Sequence, residues 1–237
     1  MSSTPLASAV FFDVDFTLIY PGPTFDGEGY RRFAARHGLA VDATRFGTAV
    51  AIASALLDNT RDAVYRPQRF VEYAGCVLTE MGGVGPGLEA CAQEIYDQWA
   101  VCQHFALYDD VSETFERLYG LGVTIGLISN THRCLVSFQA HFELDRFVAV
   151  AVSSSDHGYM KPHPSIFEAA LALAGVSPTE SLMVGDSLTH DVLGARRAGM
   201  RGVLLARAGG ASSDAPDFQT IRTLTELPAM LTSDVLL

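Results

Sequence analysis

From about residue 109 onward, short apolar segments alternate with longer segments of helical period. The apolar segments are rich in β-branched residues and have the length of buried strands. They are Val123 to Ile128, Phe147 to Val152, Leu182 to Val184 and Val203 to Leu205. One further segment of this kind, Val10 to Phe12, lies near the start of the chain. The amphipathic segments are Val111 to Tyr119, Leu135 to Phe142, Pro164 to Ala174 and Thr189 to Ala198. This alternation predicts an α/β fold, a parallel sheet with helices on both faces.

Residues 20 to 105 differ from the rest, because they contain long helical stretches and little strand character. The stretches are Gly29 to His37, Thr44 to Asn59, Gln68 to Met81 and Gly87 to Gln103. We therefore predict a core of residues 1-19 and 106-237, into which residues 20-105 are inserted as a helical domain. Near the end of the chain, the Gly/Ala/Ser-rich segment Ala208 to Ala215 predicts a loop.

The composition limits the classes of partner. A chain of 237 residues that is 49% hydrophobic can bury a full core. Its formal charge of −11 repels polyanions and no basic stripe offsets it, so we expect no nucleic-acid partner. No segment has the roughly 18 apolar residues that cross a bilayer, and the N-terminus lacks a secretory pattern. Four cysteines without metal or redox spacing require no oxidising compartment, so we expect a cytoplasmic protein. The oligomeric state stays open.

Polar residues follow several predicted strands at the point where each strand ends. They are Asp13 and Asp15, Ser129 and Asn130, Lys161, and Asp186. In an open parallel sheet, ligands bind beyond the carboxyl ends of the strands. Three carboxylates, an ammonium, a hydroxyl and an amide that converge there suit a hard cation together with a phosphoryl group.

Asp13 and Asp15 are the first candidates for chemistry. Two close carboxylates repel each other unless a cation or a proton lies between them. Mg²⁺ takes oxygen ligands and works beside substrate phosphates, and Asp186 is a natural further ligand. One carboxylate then attacks phosphorus, and the other serves as general acid and later as general base. The alternative is that the pair only caps a turn.

Lys161 is the only lysine in a chain that otherwise uses arginine. A compact ammonium on a flexible stem fits between a carboxylate nucleophile and a phosphate, where a planar guanidinium fits differently. The alternative is a surface lysine. Ser129 and Asn130 precede a helical stretch, so they either hold phosphate oxygens or cap that helix. Asp191 orients Lys161 or a metal-bound water, or it is only a cap.

Taken in order, these residues resemble the four motifs of the haloacid dehalogenase (HAD) superfamily. The motifs are Asp13-Val14-Asp15-Phe16-Thr17, Ser129-Asn130, Lys161-Pro162 and the segment from Gly185 to Asp191. The resemblance implies a Rossmann-like three-layer core, an aspartyl-phosphate intermediate, and Mg²⁺ held by Asp13, the backbone carbonyl of Asp15, and Asp186. It also assigns Thr17, Ser129 and Lys161 to phosphate contact or nucleophile positioning, with Asp191 supporting.

The helical insertion resembles the cap of the family's type I members, which closes over the cleft and contacts the substrate. Asp15 favours the phosphatases and phosphomutases of the family over its dehalogenases, which attack carbon and do not need a proton-transferring carboxylate there. Phe16 departs from the glycine that is frequent at its position. Among cap residues, the following arginines are candidates for contact with an anionic leaving group, although such residues are usually solvated: Arg31, Arg32, Arg61, Arg66 and Arg69.

Three hypotheses follow from this resemblance and from the residues. The leading one is a phosphatase that acts on a small phosphomonoester. The second is a phosphomutase, in which the phosphoryl group returns to the substrate. The third is a catalytically silent binding protein with the same fold, against which the full set of expected catalytic side chains argues.

Overall fold

The structure is a computed structural model that describes residues 7–57, 63–207 and 218–232. It divides into two compact units, one of Met1–Tyr20 with Leu107–Leu237 and the other of Pro21–Ala106. The role of the second unit as a cap domain stays a prediction. The predicted loop at Ala208 to Ala215 and the candidate Arg61 lie outside the described residues.

A six-stranded sheet forms the centre of the first unit. The strands of the chain are β1 (Ala9–Phe12), β2 (Ile19–Pro21), β3 (Phe105–Leu107), β4 (Thr124–Ser129), β5 (Val148–Ser153), β6 (Ser181–Gly185), β7 (Arg201–Leu205) and β8 (Gln219–Ile221). The large sheet has the order β5-β4-β1-β6-β7-β8, and its neighbouring strands pair in parallel. This is the doubly wound order of a Rossmann-like fold, so the predicted fold class is confirmed.

Helices cover both faces of this sheet. The helices of the first unit are α5 (Val111–Gly120), α6 (Leu135–His141), α7 (Ser154–His157), α8 (Pro164–Ala174), α9 (Leu193–Arg197) and α10 (Leu227–Thr232). Neighbouring residues of a strand point to opposite faces. Phe11 accordingly packs in a cluster with Phe167 of α8 and Ala195 of α9, whereas the ring of Phe12 lies 5.0 Å from the ring of Phe115 on α5.

The second unit is mainly helical. Its helices are α1 (Gly27–Arg36), α2 (Phe46–Ala53), α3 (Pro67–Glu80) and α4 (Leu88–Trp99). Asp26 begins α1, because its side chain accepts a hydrogen bond from the backbone N–H of Gly29 at 2.7 Å. Pro67 begins α3, where a missing N–H costs nothing.

Several predicted boundaries were wrong. The helix predicted to run to Gln103 ends at Trp99. Within the described residues, the helix predicted from Thr44 to Asn59 is an α-helix over Phe46–Ala53 with a 3-10 turn at each end, and Asn59 lies outside them. The short strands β2 and β3, which pair with each other, and β8 were not predicted. Each of these strands is only three residues long, which is too short for a periodic pattern to show in the sequence. They are strands because they pair with a neighbour.

No helix among the described residues is long and apolar enough to span a membrane. The four cysteines are free thiols, of which Cys91 and Cys102 are buried and Cys134 is exposed.

The sheet brings the ends of its central strands to one edge. Phe12 of β1 lies between Leu127 of β4 and Val184 of β6. The backbone N–H of Asp13 continues this register, since it donates to the carbonyl of Val184 at 2.9 Å. The order of the strands reverses around β1, and such a switch point is where doubly wound proteins bind ligands.

Candidate active site

Lys161 lies in a buried cluster of charges. Its Nζ is 2.6 Å from Oδ1 of Asp13 and 2.6 Å from Oδ1 of Asp191. The lysine side chain is 2% exposed, and those of Asp13 and Asp191 are 10% and 1% exposed. The alternative of a surface lysine is therefore wrong. A buried ammonium is stable only when it is paired, and here two carboxylates share it.

Asn130 holds the backbone at Lys161. Its Nδ2 donates to the carbonyl of Lys161 at 3.0 Å, and its Oδ1 accepts from the N–H of Lys161 at 2.7 Å. Both polar ends of the amide are thus engaged, and the residue connects the loop after β4 to the loop that carries the lysine. Because Nδ2 has a second N–H, the phosphate contact predicted for Asn130 stays a prediction.

Asp191 approaches the end of β6 closely, and Gly185 makes that approach possible. A Cβ at position 185 would lie 2.1 Å from Oδ2 of Asp191, closer than atoms can pack. The same oxygen accepts the backbone N–H of Ser187 at 3.0 Å. The turn Leu188–Val192 is a π-helix rather than the predicted α-helix, a distortion that is frequent at functional sites.

Three carboxylates lie together at this edge of the sheet. Oxygen atoms of Asp13, Asp186 and Asp191 all lie within 4.8 Å of one another. The hydroxyl of Thr17 is 3.5 Å from Oδ1 of Asp186, which is a long contact for a hydrogen bond. An all-oxygen set of crowded carboxylates fits a hard divalent cation such as Mg²⁺, which would relieve their repulsion.

The pKa values of this cluster reflect burial and crowding. Burial raises the pKa of Asp13, and repulsion from Asp191 and Asp186 raises it further, against the opposing pull of Lys161. The carboxylate of Asp186 reaches solvent on one side, yet loss of water on its other side and repulsion from Asp191 raise its pKa to about 7. Burial alone would lower the pKa of Lys161, but its ion pairs with Asp13 and Asp191 outweigh burial and raise the pKa.

Asp15 is paired with a residue that the sequence analysis missed. Nη1 of Arg133 lies 3.0 Å from Oδ1 and 3.3 Å from Oδ2 of Asp15. The arginine side chain is 1% exposed and that of Asp15 is 17% exposed. The only available signal was the position of Arg133 four residues after Ser129, in the loop that follows β4.

Ser129 and Phe16 complete the loops at this edge. The side chain of Ser129 is buried at the end of β4, and within the described part of the chain its Oγ has no hydrogen-bond partner. A buried hydroxyl without a partner is costly, which fits a ligand contact. Phe16 adopts a left-handed backbone with φ of 63° and is 45% exposed. Glycine adopts that conformation without strain, which explains why glycine suits the position.

The structure thus brings together Asp13, Asp186, Asp191 and Lys161, and it pairs Asp15 with Arg133. The family model of the haloacid dehalogenase-like hydrolases matches residues 7–199, a range that contains all of these residues. The chain belongs to this family. Its HAD core is the α/β unit described above.

Relatives agree with membership of the HAD family. The chain is 31% identical to haloacid dehalogenase-like hydrolase domain-containing protein 3 of Danio rerio over 232 residues, 94% of this chain and 95% of that protein. It is 37% identical to the pyrophosphatase PpaX of Bacillus cereus strain AH820 over 95 residues, 40% of this chain and 44% of that protein. Among solved structures, the HAD-hydrolase YfnB of Bacillus subtilis is similar with a TM-score of 0.71, 20% identity, and coverage of 96% of this chain and 99% of YfnB.

Proposed function

We propose that this HAD hydrolase is a Mg²⁺-dependent phosphatase that acts on a small phosphomonoester through a phosphoryl group on Asp13. The observation that carries the proposal is the position of Asp13, whose Oδ1 is held by Lys161 while its neighbours Asp186 and Asp191 crowd it with negative charge. That arrangement suits a nucleophile that works with a bound cation and against an anionic substrate.

In the first step, a carboxylate oxygen of Asp13 attacks phosphorus and the bond between phosphorus and the ester oxygen breaks. Asp15 gives its proton to the departing oxygen, so the leaving group departs as a neutral alcohol. Lys161 neutralises charge on Asp13 and on the phosphoryl oxygens. The hydroxyl of Ser129 donates to one of those oxygens.

In the second step, Asp15, now a carboxylate, takes a proton from water. The water oxygen attacks phosphorus, and the bond between phosphorus and Asp13 breaks to release inorganic phosphate and restore the Asp13 carboxylate. Asp15 ends with the proton that it needs for the next turnover. The same residue therefore serves both half-reactions.

The groups that would hold the cation are the carboxylates of Asp13 and Asp186 and the backbone carbonyl of Asp15. Asp191 would support them through its ion pair with Lys161. A bound Mg²⁺ would offset the repulsion between the carboxylates and the phosphate and would polarise the phosphoryl oxygens. The YfnB structure from Bacillus subtilis is a magnesium complex, and PpaX is named a pyrophosphatase. The first is in keeping with a cation site on this fold, and the second with phosphate chemistry.

Asp15 is the feature that favours phosphate over halide chemistry. When a haloalkane reacts, the halide ion leaves without needing a proton. The alkoxide of a phosphate ester is a poor leaving group until it is protonated. Here Asp15 follows the nucleophile by two residues, and its side chain lies at the same edge of the sheet, held by Arg133.

The test is phosphate release from p-nitrophenyl phosphate and a panel of sugar and alkyl phosphates, with and without Mg²⁺. We expect release that EDTA abolishes, and a loss of about 10³-fold or more in Asp13→Asn. The matched control is Asp145→Asn, an exposed aspartate of the same unit, which should retain activity. Absence of release from the whole panel by the folded, Mg²⁺-loaded protein would contradict the proposal. Transfer of phosphate to a second hydroxyl of a sugar phosphate would identify a mutase instead.

A further inference from the structure

Arg133 is the largest fully buried side chain among the described residues, with 1% of its surface exposed. Removal of a guanidinium from water costs several kcal/mol unless it is paired. The buried guanidinium of Arg133 therefore depends on its charged partner, Asp15. Its backbone is also fixed, because its N–H donates to Oγ1 of Thr131 at 3.1 Å.

The contact between Arg133 and Asp15 constrains the plane of the carboxylate. A single nitrogen, Nη1, lies within hydrogen-bond distance of both carboxylate oxygens, at 3.0 Å and 3.3 Å. Rotation of the Asp15 side chain to another rotamer would break both of these contacts to Nη1, and the loss of a charge-assisted hydrogen bond at a buried group is costly. The ion pair does not close Asp15 off completely, because 17% of its side chain stays exposed.

We propose that Arg133 is a positioning residue that holds the Asp15 carboxylate in the orientation from which it transfers protons to and from the reacting oxygens. This inference rests on the phosphatase function proposed above. Proton transfer requires heavy atoms about 2.6 to 3.2 Å apart, so a carboxylate free to rotate would spend little time in a productive position. Arg133 acts through Asp15 and does not touch the substrate.

Charge balance gives the pair a second effect. After the first step Asp15 is a carboxylate, and Lys161 already pairs with Asp13 and Asp191, so without Arg133 the negative charge of Asp15 would lie uncompensated beside the phosphoryl group. Arg133 compensates that charge during the second step.

The leaving group distinguishes positioning from a structural role. An aryl alcohol such as p-nitrophenol departs readily without a proton, whereas an alkyl alcohol needs one. With enzyme in excess over substrate, release of the alcohol reports only the first step. In Arg133→Met we expect release from an alkyl phosphate to slow about 100-fold and release of p-nitrophenol to slow less than about 3-fold. The second step also needs Asp15, so steady-state turnover of p-nitrophenyl phosphate should show a burst of one equivalent followed by a slow phase.

Arg146→Met is the matched control, because Arg146 forms an ion pair with Glu116 at 3.0 Å on the surface of the same unit. We expect wild-type kinetics for both esters. Arg133→Lys keeps the charge but loses the planar guanidinium, so it should fold and show a smaller selective loss on the alkyl ester, about 10-fold. Where Arg133→Met does not fold, this variant carries the test.

A double-mutant cycle decides whether Arg133 acts through Asp15. In an Asp15→Asn background, Arg133→Met should slow alkyl release less than about 2-fold further. Equal losses on the two esters in the folded Arg133 variants, or a full loss that persists in the Asp15→Asn background, would overturn the positioning role. Wild-type protein without any Mg²⁺-dependent phosphatase activity would instead overturn the proposed function, and this inference with it.

Discussion

Two ion networks in the core unit are built alike but differ in charge balance. The first is centred on Lys161, which bridges Asp13 and Asp191. The second is centred on Arg207, whose Nη1 and Nη2 donate to Oδ2 and Oδ1 of Asp110, each at 2.9 Å. Each network joins segments that are far apart in the sequence.

The charges of the Arg207 network are balanced. Oδ2 of Asp110 also accepts the hydroxyl of Thr223 and the N–H of Leu224, each at 2.8 Å. Burial favours a higher pKa for Asp110, but the hydrogen bonds from Arg207, Leu224 and Thr223 outweigh it and lower the pKa. Every charge in this network has its partner within the protein.

The Lys161 network has a surplus of negative charge instead. Asp186 lies beside Asp13 and Asp191 without a cation of its own among the described residues, and the pKa values of Asp13 and Asp186 are raised. A network whose charges are balanced stabilises the fold, whereas a network with surplus negative charge is suited to bind a cation.

The largest effect is expected from Lys161→Met. Loss of the ammonium removes the partner of Asp13 and the charge that faces the phosphoryl group, so turnover at saturating Mg²⁺ should fall about 10³-fold or more. Lys161→Arg should not restore it, because a planar guanidinium cannot take the same place between two carboxylates. Steady-state phosphate release by folded variants measures this. Near-normal turnover in Lys161→Met would show that the Lys161 network is structural like that of Arg207.

A smaller effect is expected from pH and Mg²⁺ on stability. The pKa of Asp186 is raised from 3.8 to about 7 on folding, so its contribution to the free energy of unfolding is present below pH 3.8 and is lost as the pH rises through about 7. Mg²⁺ at about 100 times its dissociation constant should then restore about 2.7 kcal/mol at pH 8 and less at pH 5.

Urea denaturation with EDTA or Mg²⁺ at both pH values measures this effect. Asp186→Asn should remove its share of the pH dependence and most of the Mg²⁺ effect. The control is Asp110→Asn, because the lowered pKa of Asp110 affects stability only as the pH falls below 3.8. Equal stabilisation by Mg²⁺ in the Asp186→Asn variant would place the cation elsewhere.

The smallest effect on activity is expected from Asp110→Asn itself. This change leaves Arg207 without its charge partner and should lower the free energy of unfolding by about 2 kcal/mol, while the folded protein retains most of its turnover. Arg146→Met, which breaks a surface pair, should cost less than about 0.5 kcal/mol. A loss of turnover in Asp110→Asn as large as in Lys161→Met would remove the contrast between the two networks.

The sequence predicted the parallel sheet because short apolar segments such as Phe147 to Val152 alternate with segments of helical period. It did not predict β8, since Gln219–Ile221 is short and largely exposed and is a strand only by pairing with β7. It also missed the π-helical turn Leu188–Val192, which follows from the contacts of Asp191 with Lys161 and Ser187 rather than from local propensity.

The candidate site divides in the same way. Asp13, Asp15, Lys161 and Asp186 could be proposed from the sequence, because each follows a strand and brings a distinctive charge. Arg133 could not, since arginine is common in this chain and a position four residues after Ser129 does not show that the side chain is buried. The hydrogen bonds of the Asn130 side chain could not be predicted either, because both are made to backbone atoms of a residue 31 positions away.

The sequence by itself determined the order of strands and helices and the residues at the strand ends, because hydrophobic period and residue type are local properties. Only the tertiary structure decided which charges are balanced. Pairing depends on distances between segments such as the loops of Asp15 and Arg133, which lie 118 positions apart in the chain. The strength of a charge interaction depends on that distance and on burial, and neither can be deduced from the spacing of residues along a sequence.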